Sequence, residues 1–87
     1  MELWTLKFTK RAIKDSFLLR DKNLSDKAQS LLDIIEINPY QFPPAFEKLM
    51  GTESTYSRRI NDTHRLVYTI FKELRLIKVI SMFRHYQ

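Results

Sequence analysis

A chain of 87 residues leaves room for one domain, and at this size folding buries only about 60–65% of the surface the unfolded form exposes, so stability has to rest on a single core. Hydrophobic residues make up 44% and aromatic ones 13%, which excludes intrinsic disorder. There is no cysteine and there are two histidines, so neither a disulfide framework nor a thiolate metal site is available and no metal or other cofactor is implied.

The formal charge is +5, and it is unevenly distributed. Residues 1–50 carry eight basic and seven acidic side chains, whereas residues 51–87 carry seven and three. A polyanionic partner is expected to meet the second half. The N-terminus lacks the charged start, apolar run and cleavage site of a signal peptide, and no apolar run approaches the roughly 20 residues that cross a bilayer. A soluble cytoplasmic protein without membrane contact is the expectation.

From Leu3 to Phe8 the chain alternates, with Trp4, Leu6 and Phe8 on one side, the period of a half-buried strand. Thr9 can cap a helix from Lys10 to Arg20 by accepting an unpaired backbone N–H. Its inward residues are expected to be Ile13 and Phe17, flanked by Ala12 and Leu19. After the short break Asp21-Lys22-Asn23, Leu24, Ala28, Leu31, Leu32 and Ile35 form the apolar stripe of a second helix, antiparallel to the first. Asn38-Pro39 ends it, because the residue before a proline is pushed out of the helical region.

Pro39 to Ala45, with three prolines, reads as an extended crossover, and the only glycine, Gly51, as a turn point. Three strands follow: Tyr56 to Asn61, Arg65 to Phe71 and Leu74 to Phe83, joined by Asn61-Asp62-Thr63 and Lys72-Glu73. The predicted class is α+β, in the order β-α-α-β-β-β, with two antiparallel helices on one face of a mainly antiparallel sheet. The faces of the last strand are not assignable, because Lys78 falls among Leu76, Ile80 and Met82.

Strand alternation puts Ser57 and Arg59 on one face, with Tyr56, Arg58 and Ile60 on the other. Arg65 shares its face with Val67 and Thr69. If the turn pairs Ile60 with His64, Arg59 and Arg65 lie directly opposite each other. Like charges so placed cost stability, a cost easier to understand with an anion between them. Guanidinium groups bind phosphate through two parallel bonds, so Arg58, Arg59 and Arg65 are candidate anion ligands as well as plain solvated cations. An unperturbed imidazole gives or takes a proton near neutrality, so His85 is a candidate acid or base as well as an incidental residue near a chain end; His64 is read as structural or as a rim contact. Tyr86, with Phe83, could stack on a base or belong to the core. Glu47 is either a surface carboxylate or a base. Metal-free RNA cleavage needs a base, fixed positive charge and an acid, and Glu47, Arg65 with Arg59, and His85 would supply them.

The run Tyr56-Ser57-Arg58-Arg59-Ile60, then His64-Arg65-Leu66-Val67-Tyr68, then the terminal His85-Tyr86 resembles the YoeB/Txe family of toxins within the RelE-like superfamily, along nearly the whole chain. The resemblance implies a ribosome-dependent mRNA endoribonuclease, a toxin that inhibits translation until a YefM/Axe-type antitoxin binds it. It implies Glu47 as general base, Arg65 as the phosphate-stabilising cation and His85 as general acid. Arg58, Arg59, Lys48 and Tyr86 would bind substrate. Three details depart from the family pattern: Glu47 and Ser57 are one residue closer, Lys48 follows Glu47 immediately, and Gln87 extends past the terminal tyrosine. The alternatives from the same fold are a ParE-like gyrase poison or a module that only docks on RNA or antitoxin; a small structural or ribosome-associated protein is a third. Homodimerisation stays open.

Overall fold

A computed structural model describes residues 2–49, 51 and 54–83. The elements are β1 (Thr5–Phe8), α1 (Lys10–Asp21), α2 (Ser25–Ile37), β2 (Phe46–Lys48), β3 (Thr55–Arg59), β4 (Arg65–Phe71) and β5 (Leu76–Ser81). They form one five-stranded sheet in the order β1-β5-β4-β3-β2. Among the described residues only the β1–β5 pair is parallel. The α+β class holds, with one strand more than expected. β2 escapes sequence reading because it is three residues long, holds a single apolar side chain and follows three prolines.

The Thr9 cap forms as anticipated: its Oγ1 accepts the Ala12 N–H at 3.0 Å and donates to the Ile80 carbonyl at 2.8 Å. One hydroxyl therefore starts α1 and ties it to β5. The helix is rotated relative to expectation. Ile13 and Phe17 are about half exposed, at 50% and 51%, while Ala12, Asp15 and Leu19 face inward. The shift is one residue, about 100° around the axis. Its cause is Asp15, whose Oδ2 accepts the buried Met82 N–H at 3.0 Å. An unpaired buried amide is costly, so this bond sets the helix's rotation against the end of β5. In α2 the predicted stripe Ala28, Leu31, Leu32 and Ile35 is buried, and it packs with Trp4 and with Leu66, Tyr68, Ile70, Ile77 and Val79 of the sheet in one core.

β5 resolves the ambiguity around Lys78. Ile77 and Val79 point into the core, and Lys78 pairs with Thr69 on the opposite face. A register shift then follows: Tyr68 pairs with Val79 but Val67 with Ser81, leaving Ile80 as the extra residue of a bulge. That bulge breaks the period of two. The β4–β5 connection is also longer than a two-residue turn. Lys72–Leu74 make a 3₁₀ turn and Arg75 takes a left-handed conformation at φ 47°, with its guanidinium 4.7 Å over the Trp4 ring and bonded to the Glu2 carbonyl at 3.0 Å. Among the described residues, no helix is long and apolar enough to cross a membrane.

Candidate functional site

The β3–β4 turn is built by Asn61, whose Oδ1 accepts the N–H groups of Thr63 at 2.9 Å and His64 at 2.7 Å. The Ile60 N–H meets the His64 carbonyl at 2.9 Å, which sets the anticipated register: Arg59 stands opposite Arg65, and Ser57 opposite Val67. On the other side of β3, Glu47 stands opposite Ser57. Alternation therefore gathers Glu47, Ser57, Arg59 and Arg65 on the sheet face turned away from the core.

These side chains meet. The Arg65 Nε donates a short hydrogen bond to the Ser57 Oγ, and its Nη2 lies 3.4 Å from the Glu47 Oε1. Arg65 is held, with 15% of its side chain exposed, whereas Glu47 stands 74% exposed on the edge strand. The shorter Glu47–Ser57 spacing thus does not keep the carboxylate from the arginine. Arg59 is looser, 67% exposed and 3.7 Å from an Asp62 oxygen that is itself fully exposed; a pair so wet constrains little. Together with Lys27, Pro44 and Ala45, the three residues Glu47, Arg59 and Arg65 line a hollow of ≈ 360 Å³.

Two expected substrate ligands are not there. Arg58 is completely buried. Its Nε donates to the Tyr68 Oη at 2.9 Å, and its two terminal nitrogens to the carbonyls of Pro44 at 2.8 Å and Pro39 at 3.0 Å. The guanidinium also lies 4.7 Å over the Phe46 ring. Every face of the group is occupied by the protein, so Arg58 acts as a clasp fastening the crossover onto β3. The crossover in turn supplies the Pro44–Ala45 wall of the hollow and the approach to Glu47. Tyr68 closes the knot by donating to the Pro39 carbonyl at 3.2 Å. Burial raises its phenol above the ordinary 10.0, an effect that the bonded Arg58 partly offsets. Lys48 is the second correction: it pairs with Tyr56, on the β2 face opposite to Glu47, and does not line the hollow.

Of the two readings of His64, structural or rim contact, its burial favours the first. Its ring stacks on Phe83 at 4.2 Å between centroids and 23° between planes; Phe83 thus packs within the protein. His85 and Tyr86 lie outside the described residues. Ser57 and Lys27 were not anticipated as site residues. Ser57 was legible as a face-mate of Arg59, but nothing near Lys27 in the sequence links α2 to the β3–β4 turn.

A family model described as the YoeB-like toxin of bacterial type II toxin-antitoxin systems matches residues 8–86. The chain belongs to the YoeB toxin family. Among solved structures, it is 34% identical to the YoeB of Staphylococcus aureus, solved as a dimer, with a TM-score of 0.80 and coverage of 95% of this chain and 98% of that one. The S. aureus YoeB–YefM complex matches at 33% identity and a TM-score of 0.77, over the same shares of the two chains. A YoeB/ParE toxin from Agrobacterium tumefaciens is 26% identical with a TM-score of 0.83, covering 94% and 99%. No curated protein sequence is significantly similar to the chain. This YoeB-family chain is thus a toxin of the toxin–antitoxin class, and its hollow lies on the face that carries the motif arginines Arg59 and Arg65.

Proposed function

We propose that this toxin is a metal-independent endoribonuclease that cleaves mRNA on the ribosome and thereby stops translation. The observation that carries the reading is the pairing of Glu47 with Arg65 inside a hollow whose other charges among the described residues, Lys27 and Arg59, are cationic. The Glu47 carboxylate takes the proton of a ribose 2′-OH. The 2′ oxygen then attacks the adjacent phosphorus and the 5′ oxygen leaves, taking a proton from the His85 imidazole. The products are a 2′,3′-cyclic phosphate upstream and a 5′-OH downstream. Arg65, pinned by Ser57, carries the charge that develops on the phosphoryl oxygens, a preorganised donor of the kind that contributes most to such steps. Arg59 contacts the RNA and Tyr86 positions it.

The part given to His85 rests on the resemblance carried by the terminal His85-Tyr86 pair and on the capacity of an imidazole to give a proton near neutrality. The whole chain, residues 1–87, acts as a single toxin domain in the cytoplasm, where its ribosomal substrate is. An antitoxin of the YefM type restrains it by laying an acidic segment on the cationic hollow, and homodimerisation, as in the S. aureus relative, is compatible with that. In a ribosome-containing reaction, Arg65→Ala and His85→Ala are each expected to lower the mRNA cleavage rate at least about tenfold. Full activity in both would overturn the proposal. A gyrase poison or a docking module would leave mRNA intact in every variant.

A further inference from the structure

We infer that Lys27 is a further RNA contact, holding a phosphodiester that flanks the cleaved one; the inference rests on the nuclease reading of the same hollow. Lys27 comes from the first turn of α2, far from the motif in sequence, yet it lines the hollow together with Arg59, Arg65 and Glu47. No ion pair engages it among the described residues. A cation in the first turn also opposes the helix dipole and costs α2 stability, so its position is not explained by the helix it belongs to.

The three cations differ in how they are held. Arg65 is fixed by Ser57 and Glu47 at the inner part of the hollow. Arg59, on the end of β3, and Lys27, on a separate element, are exposed cations of its rim. One phosphate seated at Arg65 has no need of both. A strand with a phosphate at every residue does. An ammonium on a four-carbon stem is a point charge without the planar fork of arginine, which suits a neighbouring, mobile phosphate better than the reacting one. Lys27 therefore binds substrate and transition state alike, and its loss acts on KM while sparing kcat.

The test is steady-state cleavage of mRNA-programmed ribosomes by wild type, Lys27→Gln and Lys27→Arg, with Lys14→Gln, an exposed α1 lysine outside the hollow, as a control for net charge. Lys27→Gln is expected to raise KM about three- to tenfold, with kcat unchanged, and Lys27→Arg to restore it. Because one phosphate contact on single-stranded nucleic acid contributes about 0.7 to the salt exponent, the variant-to-wild-type KM ratio should shrink about 2.5-fold between about 50 and about 200 mM salt. An unchanged KM in Lys27→Gln with an active wild type overturns the assignment of Lys27 and leaves the nuclease reading standing. So does a fall in kcat alone, or an equal rise in KM for Lys14→Gln. A wild type that leaves mRNA uncut overturns both.

Discussion

Replacing Arg58 by methionine separates a structural role from a substrate-binding one. The wild-type guanidinium makes three hydrogen bonds, to Tyr68 Oη and to the carbonyls of Pro39 and Pro44. Bonds to a charged group contribute about 1.5–3 kcal/mol each, a gross loss of about 5–9 kcal/mol. Part of this returns, because removing a buried charge also removes its desolvation penalty of several kcal/mol. The Pro39 carbonyl also keeps its bond from Tyr68. The net destabilisation expected for Arg58→Met is about 2–4 kcal/mol. At this chain length that lowers Tm by at least about 8 °C, measured by circular dichroism or by urea titration. Below the transition, the salt dependence of KM should match wild type, because no phosphate contact is lost. A variant within about 0.5 kcal/mol of wild type that nevertheless fails to cleave RNA would refute the reasoning and return Arg58 to the substrate.

Further expectations follow from individual contacts. Asp15→Ala orphans the buried Met82 N–H and should cost about 2–3 kcal/mol in urea denaturation, most of it recovered in Asp15→Asn, which keeps an acceptor. Ser57→Ala removes one of the two contacts that hold the Arg65 guanidinium, leaving the one to Glu47, and should lower kcat about tenfold or more while moving KM little; a change in KM alone would contradict the positioning role. The raised phenol of Tyr68 has a sign that can be tested. At pH values above 10.0 the unfolded chain releases a proton that the folded state still holds, so stability should be level below pH 10 and fall as pH rises beyond it. Tyr68→Phe should flatten that fall, even though it lowers stability at neutral pH by removing the phenol's bonds.

The features legible in the sequence are those decided by neighbours in the chain. The α2 stripe follows from spacing within one helix, the Thr9 cap from a hydroxyl three residues before an amide, and the Arg59–Arg65 register from a three-residue turn. What stayed hidden depends on distant partners. The rotation of α1 is set by Asp15 meeting Met82, 67 residues away. Arg58 reads as a surface cation until Tyr68 and the carbonyls of Pro39 and Pro44 close around it. The strand pattern had already put Arg58 on the face of Tyr56 and Ile60, away from Arg59, but it could not reveal that the core would supply enough acceptors for a charge. Lys27 enters the hollow only because the sheet and α2 converge there, a relation that no local spacing encodes.

The most direct test of the account is the chemistry of the RNA ends. Purified wild-type protein added to mRNA-programmed ribosomes should cut the message and leave a 5′-OH on the downstream fragment, which a kinase can label without prior phosphatase treatment, and a cyclic phosphate on the upstream one. Downstream fragments that carry a 5′-phosphate, or a message left whole while DNA supercoiling is blocked, would contradict the roles given to Glu47, Arg65 and His85.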